Sequence, residues 1–212
     1  MSTHPDTSHQ SILTTVAHYY GEKLRQFGPT PQGVDWNSAD SQRLRFIRLL
    51  EVIDADGEVS LNDYGCGYGA LVDVLKSDGR PVKYCGFDIS ESMIAAARQR
   101  HDAPWCSFTT DRRQLQPADY TVASGIFNVR LGHGVDAWRE YVVETIEALH
   151  ALSLRGWAFN LLSTYSDPEK RRADLFYADP LEMFDLCKRR FSARVALLHD
   201  YPLYEFTMLV RK

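Results

Sequence analysis

The sequence predicts an α/β protein: a mostly parallel sheet in three layers, finished by a C-terminal antiparallel hairpin and preceded by an N-terminal helical cap. Three observations carry this expectation. The stretch Gly65-Cys66-Gly67-Tyr68-Gly69 stands between a β-rich run and an apolar-periodic one, so it reads as strand, glycine loop, helix. β-rich and helical patterns then alternate along the chain, as crossover units require. Two apolar runs, Ala193 to Tyr201 and Leu203 to Val210, meet at Tyr201-Pro202 and read as a terminal antiparallel pair.

The 212 residues suffice for one sizeable core and fall short of two independent domains. The expected division is a disordered 1–10, a helical cap over 11–56 and an α/β domain over 57–212. With 44% hydrophobic and 25% charged residues and a net charge of −4, the chain lacks the basic excess of a polyanion binder, which disfavours nucleic acid as a substrate. Cys66, Cys85, Cys106 and Cys187 form no C-x-x-C pair and no zinc spacing, and read as free thiols of a reducing compartment. The first ten residues lack a signal-peptide pattern, and no apolar run approaches the roughly 20 residues of a membrane span, so a cytoplasmic protein without a membrane partner is expected. A monomer or homodimer acting on a small molecule fits this composition, with no metal.

Met1 to Gln10 is too polar to order itself. From Ser11, Ile12, Val16, Tyr19 or Tyr20, and Leu24 make a helical stripe that ends at Phe27-Gly28-Pro29. A loop follows through Gly33, and Val34-Asp35-Trp36-Asn37 carries a large aromatic. A second helix starts at Asn37 or Ser38 and runs to about Ile53, with Leu44, Ile47, Leu50 and Ile53 on one face and Arg43, Arg45 and Arg48 toward water. About 55 residues thus precede the first strand, more than the sheet needs, and part of them is expected to cover the ligand as a lid. His18, Tyr19, Tyr20 and Trp36 are its candidate contacts.

The first strand leads from Glu58 into Leu61-Asn62-Asp63-Tyr64, and the helix after the glycine loop carries Leu71, Val72, Val74 and Leu75. The second strand, around Tyr84-Cys85-Gly86-Phe87, ends on Asp88-Ile89. Ser90 caps a helix over Glu91 to Arg100 with Met93, Ile94 and Ala97 inward. Trp105 to Thr109 is the third strand, closed by Thr110-Asp111. Asp119 to Ser124 is the fourth, with Gly125-Ile126-Phe127-Asn128 at its carboxyl end, where ligands sit in open α/β sheets. His133 lies between Gly132 and Gly134 in the connection to a helix over Asp136 to Leu152, whose Trp138, Tyr141, Val142, Thr145, Ile146 and Leu149 form a core stripe. The fifth strand, Trp157 to Ser163, is interrupted by Asn160, and its tail, including Tyr165, returns to the ligand end. Pro168 to Arg172 is a charged surface stretch with Lys170, Arg171 and Arg172 in water. Asp179-Pro180 opens a helix through Arg190 with Leu181, Phe184 and Cys187 inward. His199, in the terminal hairpin, is structural.

Gly65, Gly67 and Ala70 satisfy the dinucleotide glycine spacing, so an NAD-linked oxidoreductase is one reading of the loop. Asp63 argues against it, because a carboxylate at the strand end would face and repel a pyrophosphate, whereas an ammonium and a sulfonium suit it. Asp88, at the tip of the next strand, can accept both ribose hydroxyls. With Asp63-x-Gly65-Cys66-Gly67-x-Gly69, Asp88 and Met93 together, the chain resembles the class I S-adenosylmethionine-dependent methyltransferases, which have a Rossmann-like three-layer fold. The resemblance implies S-adenosylmethionine as cofactor, S-adenosylhomocysteine as product, and Asp63, Gly65, Cys66, Gly67, Gly69, Asp88, Ile89, Met93 and Ser124 at the cofactor, with Asp111 near the adenine amino group. Gly33-Val34-Asp35-Trp36-Asn37 and Tyr204-Glu205-Phe206-Thr207 look like marks of a narrower bacterial group to which no substrate attaches. The tetrapeptide after the fourth strand is not the N/D-P-P-Y/F form of many enzymes that methylate exocyclic amines, which weakens those acceptors.

Methyl transfer from a sulfonium is an in-line displacement in which positioning and exclusion of water do most of the work. A hydroxyl acceptor also benefits from a base near working pH, and His133, then His18, are the candidates. Tyr19, Tyr20, Trp36, Phe127, Asn128 and Tyr165 are the candidate acceptor contacts. The expected activity is methylation of a small molecule, at oxygen in preference to nitrogen. Methylation of tRNA or protein, and a non-catalytic cofactor-binding regulatory protein, are the alternatives.

Overall fold

A computed structural model describes residues 5–212. The core is a sheet ordered β3-β2-β1-β4-β5-β8-β7, with a two-residue β6 paired to β5 off this path. β1 is Val59–Tyr64, β2 Val82–Phe87, β3 Cys106–Thr109, β4 Ala118–Ala123, β5 Ser153–Ser163, β6 Tyr177–Ala178, β7 Arg194–Leu198 and β8 Glu205–Arg211. Every pairing is parallel except those of β8, which runs antiparallel between β5 and β7. The chain starts at the centre with β1, moves out to β3, and returns to place β4 on the other side of β1. That reversal opens a crevice at the carboxyl ends of β1 and β4, the place where such sheets take ligands. The expected parallel sheet with its terminal hairpin is therefore present, with Arg194 opposite Arg211 and Leu198 opposite Thr207.

Strand alternation divides the core between two faces. Ala158 of β5 and Leu209 of β8 join Leu61 and the helices α2 (Ala39–Leu50), α3 (Ala70–Asp78) and α4 (Glu91–Arg100) on one face. Trp157, Phe159 and Leu161 of β5, with Phe206, Met208 and Val210 of β8, point to the other. There they meet α5 (Val135–Ala151), α6 (Pro180–Arg190) and Ile12 of α1 (Pro5–Phe27). The α4 cap is as expected, Ser90 Oγ accepting the Met93 N–H at 3.4 Å, and Asp179 Oδ1 caps α6 from the Leu181 N–H at 2.8 Å.

Four elements differ from the expectation. Helix α1 begins at Pro5, six residues before the expected start, while residues 1–4 of the polar run 1–10 lie outside the described residues. Its first part is held from outside, His9 Nδ1 lying 2.6 Å from Glu144 Oε2 of α5 and its ring edge-on to Tyr141, tertiary contacts that no local pattern encodes. Helix α2 buries Gln42, Arg45, Phe46, Leu49 and Leu50 and leaves Ile47 41% exposed. Its inward face is rotated from the apolar stripe because two polar residues on it find buried partners. Helix α6 buries Met183 and Cys187 and leaves Leu181 60% exposed. Strand β5 begins at Ser153, earlier than expected, because its amino-terminal part pairs Ala118.

Candidate functional site

The loop after β1 turns three times through conformations that favour glycine, at Gly65 with φ +83°, Gly67 with φ +54° and Gly69 with φ +81°. A Cβ at Gly65 would also collide with Ile126, so loop and β4 tail approach as closely as backbone allows. The loop is fastened to β2 from both sides. Gly65 N–H and Cys66 N–H donate to the Phe87 carbonyl at 2.7 and 2.9 Å, and Gly67 N–H donates to Asp88 Oδ2 at 2.9 Å. The other Asp88 oxygen accepts the Ser90 N–H at 2.9 Å, so the carboxylate is anchored at the tip of β2. Burial raises the Asp88 pKa, and the two backbone N–H groups oppose that rise.

Two adjoining cavities open at these strand ends. The first, about 250 Å³, is floored by Tyr64, Gly65, Gly67, Asp88, Ile89 and Met93, and is bounded by Ser124 and Gly125 after β4. Its roof is α1, which contributes Leu13, Val16, Ala17 and Tyr20. The second, about 230 Å³, is lined by Arg45, Asn128, Lys170, Arg172, Tyr177 and Tyr204 among others. Tyr20, Val34, Trp36 and Gly125 border both. Trp36 and Gly125 meet so closely that a Cβ on Gly125 would overlap the indole ring. The turn that presents Trp36 is held by Asp35 in the left-handed region, φ 59°, with its carboxylate paired to Lys23 at 2.7 Å and bonded by the Tyr19 hydroxyl.

A buried polar chain runs beneath the second cavity. Arg45, 7% exposed, donates Nε–H to Glu205, which is 0% exposed, and its Nη2 pairs with the same carboxylate. Glu205 Oε2 accepts the Asn160 amide at 2.7 Å, and Asn160 Oδ1 accepts the Gly125 N–H at 2.7 Å. The guanidinium lies 3.9 Å from the centroid of the Trp36 ring. Arg45 Nη1, Asn128 Oδ1 and Ser124 Oγ are buried with no hydrogen-bond partner. Burial pushes the Glu205 pKa up, against the pull of Arg45 and Asn160.

Of the residues expected at the cofactor, Gly65, Gly67, Asp88, Ile89, Met93 and Ser124 line the first cavity. Asp63, Cys66, Gly69 and Asp111 do not. Asp63 is 2% exposed behind the loop, accepting the Tyr84 hydroxyl at 2.7 Å, so it does not face a ligand as the strand-end argument supposed. Alternation along β1 explains this, since Tyr64 next to it takes the cavity side. With no cation beside it and Asp88 nearby, burial pushes the Asp63 carboxyl up to about 7. Cys66 is buried against the loop's inner side, and burial raises its thiol well above the usual value. Gly69 sits under Phe108 and His101. Asp111 is bound by its own neighbour, Arg113, at 2.9 Å, and Thr110 and Arg112 take the cavity positions in that turn.

Among the expected acceptor contacts, Tyr20 and Trp36 stand between the two cavities and Asn128 lines the second. Tyr19 turns outward to Asp35, Phe127 is 0% exposed in the core against Phe159, and Tyr165 is 66% exposed beside His199. Neither proposed base reaches the site. His18 projects to water near Glu22, and His133 lies along Trp138, with neither on a cavity wall. The chemical expectation of a histidine selected residues by type in a flexible loop, and nothing in that loop folds it inward. Sequence reading missed Arg45, Lys170 and Arg172, assigned to water, and the α1 residues Leu13 and Ala17. Asn160, an amide inside an apolar strand, and Glu205, within the Tyr204–Thr207 motif, were the visible traces of the polar chain.

Residues 62–151 match the model of a methyltransferase domain. A Mycobacterium tuberculosis protein named as a methyltransferase is 50% identical over 164 residues, covering 77% of this chain and 99% of the relative. A second M. tuberculosis relative, a phthiotriol/phenolphthiotriol dimycocerosates methyltransferase, is 24% identical over 104 residues, 49% of this chain and 38% of its own length. The fold resembles that of magnesium protoporphyrin IX methyltransferase from Synechocystis PCC 6803 with bound S-adenosylhomocysteine. That likeness has a TM-score of 0.62 at 16% identity, covering 94% of this chain and 99% of that one.

Proposed function

Because this chain belongs to the class I S-adenosylmethionine-dependent methyltransferases, we propose that it methylates an oxygen, hydroxyl or carboxyl, of a small molecule. The observation that supports this reading is the pair of adjoining cavities, one walled by the glycine loop and Asp88 and the other polar, meeting at Trp36 and Gly125 under α1. The residues of the first cavity fit S-adenosylmethionine. Asp88 keeps lone pairs free for the ribose hydroxyls beyond those given to Gly67 and Ser90, the loop meets the cavity at Gly65 and Gly67, where no side chain bars close backbone approach, and Ile89 and Met93 offer an apolar slot to the adenine. Ser124 Oγ, buried without a partner, has a hydrogen bond to give. Asp63, behind the loop, is not a direct ligand; it adds a negative field where the cofactor's positive charges draw off its proton.

When bound, the cofactor supplies an electrophilic methyl group on a sulfonium. The chain's own contribution is to bring a lone pair within roughly 3 Å of that carbon in line and to keep water out. Tyr20 and Trp36, held over the junction by α1 and the turn at Asp35, do both. Among the described residues no histidine lines either cavity, and the Asp35 carboxylate is occupied by Lys23 and Tyr19. An acceptor that arrives as a carboxylate needs no proton removed, so this wall favours a carboxyl oxygen over an alkyl hydroxyl.

The test is release of S-adenosylhomocysteine by the purified protein with a panel of small carboxylic acids and hydroxylated compounds, alongside bulk tRNA and a protein mixture. Turnover with a member of the small-molecule panel is expected. Turnover on tRNA or protein alone would overturn the reading.

A further inference from the structure

We propose that the second cavity is a carboxylate-binding site, in which the outer edge of the Arg45 guanidinium takes the carboxylate of the acceptor molecule and Lys170 stands at the rim. This inference rests on the small-molecule reading above and names the acceptor class. A guanidinium offers five N–H donors around a planar fork. In Arg45 the edge carrying Nε and one terminal nitrogen is spent on Glu205, and one face is covered by the Trp36 ring. Nη1 remains, buried and without a partner, on a residue that lines the cavity. A buried charged donor left unpaired is costly, and a planar two-oxygen acceptor at the free edge removes that cost.

The charge balance of the wall points the same way. Arg45 is matched by Glu205, Arg172 by Asp174 with Nε at 3.1 Å, and Asp35 by Lys23. Lys170 Nζ has no hydrogen-bond or ion-pair partner among the described residues, which leaves the lining one positive charge in excess. One unspent guanidinium edge and one excess cation suit a monoanionic carboxylate; a dianionic phosphate would need more. Asn128 Oδ1, also buried and unpartnered on this wall, adds an acceptor for a hydroxyl or N–H elsewhere on the same molecule. The polar chain from Arg45 through Glu205 and Asn160 ends on the Gly125 N–H, at the boundary between the cavities, so the anchor and the transfer point share one rigid support.

Ligand-observed NMR tests this with benzoate, its neutral isostere benzamide, and phenyl phosphate, on the protein with and without saturating S-adenosylhomocysteine. Benzoate is expected to bind about tenfold more tightly than either of the others, as one charge-assisted pair requires. Arg45→Lys, which keeps a cation for Glu205 and removes the free edge, should abolish that preference. Lys170→Met, at an exposed side chain without a partner among the described residues, should reduce benzoate binding and spare benzamide, and it reads the charge of the wall even if the Arg45 variant does not fold. Equal binding of benzoate and benzamide, no binding of benzoate, tighter binding of phenyl phosphate, or an unchanged preference in both variants would each overturn it. Because no turnover is needed, the outcome is separate from that of the methylation panel: a neutral small-molecule acceptor there would sink this inference alone.

Discussion

Asp63→Asn isolates the effect of one buried carboxyl. The side chain is 2% exposed, receives a single hydrogen bond from Tyr84, and titrates at about 7 because burial disfavours its charged form and Asp88 adds to that. In the unfolded chain an aspartate titrates near 3.9. A folded pKa above the unfolded one means that the folded state holds the proton more tightly. The associated stability is fully present below about pH 4 and is lost as pH rises through about 7. With 1.36 kcal/mol per pKa unit, the loss is roughly 1.5 kcal/mol at pH 5 and roughly 4 kcal/mol at pH 8. Asparagine keeps the acceptor for Tyr84 and has nothing to ionise. Urea unfolding of both proteins from pH 5 to pH 8 should therefore show the variant gaining about 2.5 kcal/mol on the wild type across that range, the other titrations cancelling in the difference. A difference that stays constant with pH would refute the assignment of a protonatable Asp63. The same reasoning predicts proton release when S-adenosylmethionine brings its positive charges near the loop at pH 6.5. Calorimetry in two buffers of different ionisation enthalpy reads that directly.

Four further outcomes are expected. Asp88→Ala should weaken S-adenosylmethionine and S-adenosylhomocysteine alike by about 2–4 kcal/mol, measured by calorimetric titration, and unchanged affinity would show that the ribose lies elsewhere. Gly125→Ala places a Cβ inside the Trp36 ring at φ +72°, so cofactor affinity should fall about tenfold with a shift in tryptophan emission; both unchanged would mean that Trp36 is not seated against the loop. His133→Ala should leave turnover and cofactor affinity as in the wild type, since the ring lies along Trp138 away from both cavities, and a loss of turnover would restore it as a base. Glu205→Ala strands Arg45 and the Asn160 amide in the core and should cost about 3–5 kcal/mol in chemical denaturation, whereas a cost under about 1 kcal/mol would mean that the pair contributes little.

The sequence by itself determined the parts whose cause is local. A strand, a glycine loop and a helix fold as one short unit, so Gly65, Gly67 and the carboxylate tip at Asp88 were legible, and with them the cofactor. The alternation of the later strands and helices carried the sheet and its terminal hairpin, because inward side chains recur every second or every three to four residues. Only the tertiary structure decided which polar residues enter the interior. Arg45 and Glu205 lie 160 positions apart; Arg45 reads as a surface charge, and Glu205 as part of a terminal motif with no assigned role, until each is placed beside the other. Their pairing turned α2 away from its apolar stripe, made Asn160 a link and not a flaw in β5, and put Trp36 over the junction of the two cavities. In the same way Asp63 and His133 were assigned by chemical type, but their roles depended on direction: alternation along β1 sends Asp63 behind the loop, and packing on Trp138 keeps His133 outside. A side chain's chemistry is written in the sequence, whereas what it faces is settled by the packing of segments far apart in the chain.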